Sequence, residues 1–453
     1  MKYNKKGLLL RLPYPYGKSQ VYFPTDLHLV GSRLDKAGVS TDILDLNIHP
    51  LPPETNLRKY DFVGVGVFGS PYVPVARKTL ASISPSIRTT LVGGIIAEKF
   101  SSEQFQKVFP GSVQIATDFD LANSLGISFA SLPSPFDVSI ADRLSKVNPD
   151  DLKKYISNEF GFFISQGCKF VCDFCAAQKR QPERYRSIDA ISADVSGFSS
   201  YTRSFGVSKL RLYLSSLDLF QSPDSLSKVL EIFARNSRDT GIQYELRGLC
   251  RVDTFLRAID HSPNLRKLSV SAGLKTIGFG VDGSSEEIWR SQHKGRVSLS
   301  DTDRALDICH EIGITPEILM VMGFEQDTPR TLARNYLYTI SRAITHGAVS
   351  RPYLAKPFVP GNAGWSDPKY AAAIELLLEN PELFANLDFA TLGSSLTHPD
   401  PIKRIASNLA YLAITLSLEP FGRNATYPIL PHLGVPFLDK LVDAINRWVP
   451  FDK

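Results

Sequence analysis

The chain has 453 residues, an apolar content of 43% and a formal net charge of +5. This length exceeds one ordinary domain and predicts two or three, with enough apolar residues for sizeable cores. The modest charge neither requires nor excludes a nucleic-acid partner, and no apolar run approaches the roughly 20 residues that span a bilayer.

The chain is expected to be cytoplasmic. The apolar stretch near its N-terminus, residues 7–12, is too short for the core of a signal peptide. Five cysteines, three of them clustered, do not make a disulfide framework. In a reducing compartment such a cluster more often binds metal.

The first 125 residues alternate predicted strands with helices. The strands are expected at residues 7–12, 41–46, 62–68, 90–92 and 113–116, and the helices at 24–37 and 73–83. This alternation predicts a small parallel, doubly wound, Rossmann-like sheet over residues 1–125. Ligands of such sheets bind beyond the carboxyl ends of the strands, so Pro13, Gly69, Ser70, Gly93 and Gly94 are expected to line a site.

A second series of strands follows a predicted interdomain connection at residues 126–154. The strands are expected at residues 160–165, 209–215, 242–246, 276–281, 317–322 and 351–356, with helical patterns between them such as 225–236 and 300–312. Their spacing leaves room for one helix each and predicts a full or partial parallel (β/α)6 barrel over residues 155–362. Chemistry in such barrels lies at the carboxyl ends of the strands.

The strand pattern stops after residue 362. Amphipathic helices are predicted at residues 369–378, 401–418 and 436–449. Residues 363–453 therefore form either a helical cap or a dimerisation element.

Three cysteines lie in the loop after the first barrel strand. Cys168, Cys172 and Cys175 follow one another at spacings of four and three, so their sulfurs can turn toward one point and need a soft metal centre. The alternative is a zinc site with Cys250 or a distant histidine as a fourth ligand. A zinc knuckle predicts neither the strand before the motif nor the βα units after it.

The pattern Cys168-x-x-x-Cys172-x-Phe174-Cys175 resembles that of the radical S-adenosylmethionine (SAM) superfamily. The resemblance implies a [4Fe-4S] cluster bound by the three cysteines, whose fourth iron binds SAM through its amino and carboxylate groups. One electron, from a donor such as flavodoxin or ferredoxin, would cleave SAM and release a 5'-deoxyadenosyl radical. Phe174 would pack near the adenine.

Further matches to this superfamily follow in its order along the strands. By this resemblance the SAM-binding residues are Asp218 after the second strand, Arg247 and Arg251 after the third, Asp282 after the fourth, and Val321 and Gly323 on the fifth. Asp282 stands where the family usually has glutamate. Lys294 also resembles a family lysine, although lysines are usually solvated. Cys309 and Cys250 are expected to be buried.

The N-terminal sheet resembles the cobalamin-binding domain of one class of the superfamily. Residues 24–38 resemble its first helix, and residues 43–45, 60–66 and 91–94 resemble three of its strands. His28 lies in an Asp-x-His-x-x-Gly sequence, the motif of a lower axial cobalt ligand. It falls inside the predicted helix and is not expected to bind cobalt. A purely structural domain is the alternative, since only residues 47–60 separate the second and third strands and an acidic Gly-Glu stretch is missing after the fifth.

Two classes of function are compatible with these patterns. The first is a radical SAM enzyme acting on a small molecule or peptide, either a cobalamin-dependent methyltransferase or a non-methylating cyclase or rearrangement enzyme with a vestigial cobalamin domain. The second is a metal-stabilised RNA-binding module. It rests on the basic run Lys179-Arg180-x-Pro-Glu-Arg184-Tyr-Arg186, and it is the weaker alternative because arginines there are also common in the radical family.

Overall fold

Two parallel sheets organise the computed structural model, which describes residues 5–16, 21–83, 87–177, 181–295 and 297–448. The strands are β1 (Lys6–Arg11), β2 (Ser40–Asp45), β3 (Phe62–Gly66), β4 (Thr90–Gly93), β5 (Val113–Ile115), β6 (Phe160–Phe163), β7 (Ser165–Gln166), β8 (Arg184–Tyr185), β9 (Lys209–Ser215), β10 (Gln243–Cys250), β11 (Leu274–Gly280), β12 (Thr315–Met322) and β13 (Val349–Leu354).

The helices lie on the faces of these sheets and in the C-terminal region. They are α1 (Thr25–Lys36), α2 (Glu54–Leu57), α3 (Tyr72–Ile83), α4 (Ser102–Val108), α5 (Asp118–Leu125), α6 (Ala141–Leu144), α7 (Pro149–Ile156), α8 (Ile188–Ser204), α9 (Pro223–Thr240), α10 (Val252–His261), α11 (Asn264–Ser271), α12 (Glu286–Ser291), α13 (Leu299–Glu311), α14 (Pro329–Thr345), α15 (Ala371–Glu379), α16 (Pro401–Leu418) and α17 (Pro436–Asn446). Of the helix predicted over 436–449, residue 449 lies outside the described residues.

The first sheet has the order β2-β1-β3-β4-β5, and every neighbouring pair is parallel. The predicted parallel, doubly wound sheet is therefore confirmed. The strand order reverses between β1 and β3, where sheets of this kind form a crevice for ligands. Only the one-turn helix α2 fits between β2 and β3, as the short segment there predicts.

The second sheet runs in the order β13-β12-β11-β10-β9-β6, again with parallel neighbours throughout. Six parallel strands in sequence order form an open, partial (β/α)6 barrel. Arg247 on β10 reaches Glu159 beside β6 and Glu317 on β12, and Arg351 on β13 also binds Glu317. These ion pairs across the interior tie both edges of the curved sheet to its middle.

The predicted connection at residues 126–154 is packed rather than free. Arg143 on α6 is only 3% exposed and donates to Asp35, at 2.5 Å, and to the hydroxyl of Thr41, at 3.0 Å. Ile140 and Leu144 are fully buried in the core of the barrel. The segment therefore fixes the first sheet against the second. Its polar composition does not indicate this packing role.

The C-terminal region divides between the two sheets. Trp365 and Phe384 pack on Phe100, so residues 363–387 complete the core on one face of the first sheet. Helix α16 instead packs beside α14 and β13 of the barrel. Within the described ranges no helix is both long and apolar enough to cross a membrane.

Candidate functional site

The cysteine loop is bounded by an antiparallel ribbon at the carboxyl end of β6. Strands β7 and β8 pair through Ser165 with Tyr185 and Gln166 with Arg184. Gly167 has a φ of +104°, and a Cβ there would collide with the carbonyl of Pro182 on the other side of the loop. Only glycine allows the two ends to approach so closely.

The three loop cysteines differ from the other two in exposure. Cys168, Cys172 and Cys175 are partly exposed, whereas Cys250 and Cys309 are 4% and 0% exposed. Burial raises the pKa of Cys172 to about 11 and also raises that of Cys168, so these thiols ionise only beside a positive centre.

The loop offers no closed site for a single ion. No group of three or more His, Cys, Asp or Glu side chains in the described part of the chain is placed to hold one metal ion. Ligands of a cluster bind separate irons, so their sulfurs need not meet at one point as the ligands of one zinc ion must.

Arg251 supplies a cation beside the sulfurs. Its Nη1 lies 3.6 Å from the sulfur of Cys172, its guanidinium lies 3.8 Å from the centre of the Phe170 ring, and its Nε donates to Asp253 at 2.9 Å. A fixed positive charge at this distance favours the thiolate over the thiol. The structure thus brings Arg251 to the cysteine loop, and its contact with SAM stays a prediction.

Asp218 lies beside Arg251 and is 1% exposed. Its Oδ1 accepts from the backbone N–H of Arg251, at 3.2 Å, and from the hydroxyl of Thr254, at 2.8 Å. Its Oδ2 has no hydrogen-bond partner among the described residues, although it is buried. Burial raises the pKa of Asp218 to about 6. A buried carboxylate oxygen without a donor is an acceptor available to a ligand.

Glu183 and Tyr185 were missed by the sequence reasoning, which considered only the basic residues of this run. Glu183 accepts from the hydroxyls of Ser165, at 2.7 Å, and Ser216, at 3.2 Å. Its second oxygen and the hydroxyl of Tyr185 are buried, and burial together with the neighbouring Glu183 raises the pKa of Tyr185. The sequence does carry one indication of this site, because Glu183 is an acidic residue inside an otherwise basic run.

Asp282 and Lys294 form a buried ion pair at the end of β11. The Nζ of Lys294 lies 2.5 Å from Oδ2 of Asp282 and also donates to the carbonyl of Gly280. Lys294 is 3% exposed, so it is not the solvated charge that lysines usually are. Asp282 has a φ of +54°, a conformation that few residues other than glycine adopt.

Phe174, Val321 and Gly323 also lie together. Phe174 packs with Val321 and meets the ring of Phe324 at 5.6 Å, and both Phe174 and Gly323 line a pocket of about 330 Å³. His398 from the C-terminal region closes this pocket and donates from Nε2 to the carbonyl of Gly323 at 3.2 Å. No sequence pattern indicated that residue.

Arg247 is the exception among the residues predicted for the barrel. It lies within β10 and binds Glu317 at 2.9 Å and Glu159 at 3.3 Å. These ion pairs, and the Tyr213 ring 5.3 Å from its guanidinium, lie along the strands and not at the cysteine loop. The guanidinium therefore joins the strands, and Arg251 is the arginine at the sulfurs.

A larger cavity, of about 660 Å³, lies between the first sheet and helices α1 and α5. Gly93 and Gly94 line it at the end of β4, with Gly64 on the neighbouring strand. Gly94 has a φ of +97°, and a Cβ there would come within 2.9 Å of the backbone of Val67. Ser70, 4% exposed just before α3, is not among the lining residues.

This cavity reaches the ribbon that bounds the cysteine loop. Gln166 of β7, Arg184 of β8 and Phe136 line its other side, and the Arg184 guanidinium lies 4.3 Å from the Phe136 ring centre. His28 is not among the lining residues; it is 4% exposed inside α1 and stacks on Phe23 at 4.4 Å. Burial lowers the pKa of His28 to about 3.

The described residues of the basic run do not form a continuous cationic face. The side chain of Arg186 is fully buried and binds Asp194 at 2.7 Å. Arg184 stacks on Phe136, and Lys179 and Arg180 lie outside the described residues. A nucleic-acid interface needs exposed cations, so Arg186 cannot contribute to one.

Comparisons with known proteins gave matches only to solved structures; no family model and no curated protein matches the chain. The radical S-adenosylmethionine methyltransferase TsrM from Kitasatospora setae, with cobalamin and [4Fe-4S] cluster bound, is similar over 93% of this chain and 91% of its own, with a TM-score of 0.65 and 15% identity. A TsrM structure with tryptophan substrate and a SAM analogue covers 80% and 75%, with a TM-score of 0.61 and 17% identity.

The cobalamin-dependent S-adenosylmethionine radical enzyme OxsB, with aqua-cobalamin and S-adenosylmethionine bound, is also similar. The match covers 85% of this chain and 56% of OxsB, with a TM-score of 0.56 and 16% identity. Likeness at these identities establishes a shared fold.

Proposed function

We propose that this chain, which has the fold of the cobalamin-dependent radical SAM enzymes, is itself such an enzyme and transfers methyl groups to an unactivated carbon. Its substrate is a small molecule or a peptide, and its electron donor a flavodoxin or ferredoxin. One observation carries the proposal. The ribbon that bounds the cysteine loop, through Gln166 and Arg184, also lines the large cavity at Gly93 and Gly94.

The donor set of the loop fits a [4Fe-4S] cluster. Cys168, Cys172 and Cys175 are the partly exposed thiols, while Cys250 and Cys309 are buried in the core of the barrel. Three thiolate ligands leave one iron of a cubane cluster open to another ligand. We therefore assign these three cysteines to the cluster.

Separate parts of this end of the barrel would hold SAM. The unpartnered Oδ2 of Asp218 would accept from the methionine ammonium, and Phe174 and Gly323 would contact the adenosine in the 330 Å³ pocket. The buried pair of Lys294 and Asp282 would fix the turn after β11 beside them. Each residue offers the group that the corresponding part of SAM requires.

The cavity of the first sheet fits an apolar portion of cobalamin. Its volume of about 660 Å³ lies within the range of ligand sites, and Leu9, Leu27 and Leu121 give it apolar walls. Gly64 and Gly93 add no side chain of their own where β3 and β4 line it. His28 lies outside the lining, so α1 is not expected to supply a cobalt ligand.

When bound, a reduced cluster supplies the electron that cleaves SAM, and cobalamin supplies a carrier for the methyl group. The chain's own residues would bind the cluster and SAM and orient them toward each other. Arg251 keeps a positive charge 3.6 Å from the Cys172 sulfur, and Phe174 and Phe324 give the 330 Å³ pocket two apolar rings among its charged and polar lining residues. The charge favours a cluster bound by thiolates, and the rings offer an apolar face to the adenine.

Metal analysis after anaerobic purification tests the assignment. We expect about four irons and four sulfides per chain, and cobalt after incubation with cobalamin. Iron without cobalt would be compatible with a radical SAM enzyme but would contradict cobalamin-dependent methyl transfer. Absence of both metals would contradict the whole proposal.

A further inference from the structure

Helix α16 is apolar on two opposite sides. Its inner stripe is buried against the barrel and consists of Ser407, Tyr411, Ile414, Thr415 and Leu418. Its outer stripe is exposed: Ile402 by 73%, Ile405 by 58%, Leu409 by 60% and Leu416 by 69%. A helix that is apolar all round is normally buried, so the outer stripe is expected to be covered in the assembled protein.

The outer stripe has the spacing of a coiled-coil seam. With the half-exposed Leu412, its members stand at positions 402, 405, 409, 412 and 416, which alternate steps of three and four residues. This is the a and d pattern of two heptads, whose natural partner is another helix. The seam is about 21 Å long at the 1.5 Å rise of a helix.

The residues flanking the seam permit close approach. Ala406, Asn408 and Ala413 stand at positions that usually carry charges in coiled coils and are uncharged; Thr415, at the fourth such position, is 3% exposed and turned toward the barrel. Two copies of this helix can therefore meet without like-charge repulsion. A partner selected by charge would need cations or anions at these positions.

The charges at the ends of α16 favour a second copy of the same chain. Lys403 and Arg404 occupy its first turn, and the next charged residue is Glu419, just after its end. In an antiparallel pair the basic turn of each helix lies near the Glu419 of the other. We propose that this chain forms a two-fold dimer in which α16 packs antiparallel against α16 of a second copy.

In this dimer Leu409 meets Leu412 of the second copy, and Ile405 meets Leu416. One helix pair is smaller than the roughly 800 Å² per partner of a standard interface. Leu337 and Ile344 on the neighbouring α14 are 63% and 77% exposed and would extend the contact. Exposed apolar side chains on two helices that pack side by side are of the kind that marks an interface.

Sedimentation of the full-length, cluster-loaded protein tests the dimer. The wild type is expected at twice the 50.2 kDa of one chain, and Leu409→Glu at the mass of one chain with unchanged iron content and an unchanged circular dichroism spectrum. Val270→Glu, at a similarly exposed residue on α11, is the matched control and is expected to stay dimeric.

Cross-linking tests the antiparallel orientation. Ala406 of one copy would lie beside Ala413 of the other, so a variant with both residues changed to cysteine should form an intermolecular disulfide, and neither single variant should. A wild type that stays monomeric up to high concentration, a dimeric Leu409→Glu variant, or a monomer whose seam binds lipid vesicles would each overturn the proposal.

Discussion

The Nη1 of Arg251 lies 3.6 Å from the sulfur of Cys172, so the positive charge of the third barrel strand is placed at the cysteine loop. Arg247, four residues earlier, lies among ion pairs inside the barrel instead. Two arginines that look equivalent in sequence thus have different surroundings. We therefore expect substitution of one to change iron binding and substitution of the other to change stability.

Substitution of Arg251 should weaken the cluster. Arg251→Gln removes the charge beside Cys172, so we expect iron and sulfide per chain to fall at least several-fold after purification, with little change in the melting temperature. Arg247→Gln should leave the iron content unchanged and lower stability by about 1.5 to 3 kcal/mol, because the buried Glu317 loses one of its two arginines and keeps Arg351. Equal iron loss in both variants would contradict the distinction.

The pair of Arg186 and Asp194 should be structural. Both side chains are fully buried, so Arg186→Met leaves an unpaired buried carboxylate and should lower the free energy of unfolding by about 3 to 5 kcal/mol, measured by urea denaturation. Arg184→Met, beside it in the run but exposed, should change stability by less than about 1 kcal/mol. A salt-sensitive RNA affinity lost only in Arg186→Met, with stability intact, would revive the nucleic-acid hypothesis.

Filling the cavity of the first sheet should block cobalamin. Gly93→Leu places a side chain into the 660 Å³ cavity, where even a Cβ comes within 3.3 Å of the Ile115 carbonyl. We expect cobalt content to fall at least tenfold while iron content stays at the wild-type value. Gly161→Ala is the matched strand control, because a Cβ there meets no atom within 4 Å.

Lys356 should make stability depend on pH. It is 1% exposed and donates to the Thr391 carbonyl at 2.5 Å, and burial lowers its pKa from 10.5 to about 7 against the opposing effect of Asp388. Between these values the unfolded chain binds the proton and the folded chain does not, so stability rises with pH from 7 to about 10. Lys356→Met should raise the urea midpoint at pH 7 more than at pH 9.5. An equal change at both values would contradict the shifted pKa.

Much of the fold could be predicted because strands and helices show in local patterns of apolar and turn residues. The strands of both sheets appear within a few residues of their expected ranges, since buried parallel strands are short apolar runs between turn residues. The covering of the first sheet by Trp365 and Phe384 could not be foreseen. Nothing local in residues 363–387 says which of two distant sheets they pack against.

The site divides in the same way. That the cysteine loop and Asp218 lie at the same end of the barrel could be expected, because both follow strands and parallel strands bring their carboxyl ends together. His398 could not, because it reaches Gly323 from a region 75 residues away. Lys294 was expected to be solvated, and only the fold shows that Asp282 and Gly280 bury it.

The most direct test of the central claim is the cleavage of SAM by the anaerobic, reduced protein. We expect the wild type to form 5'-deoxyadenosine and, once cobalamin is bound, S-adenosylhomocysteine, and we expect Cys172→Ala to form neither. An iron-loaded wild type that leaves SAM intact, or a Cys172→Ala variant that cleaves it at the wild-type rate, would contradict the account.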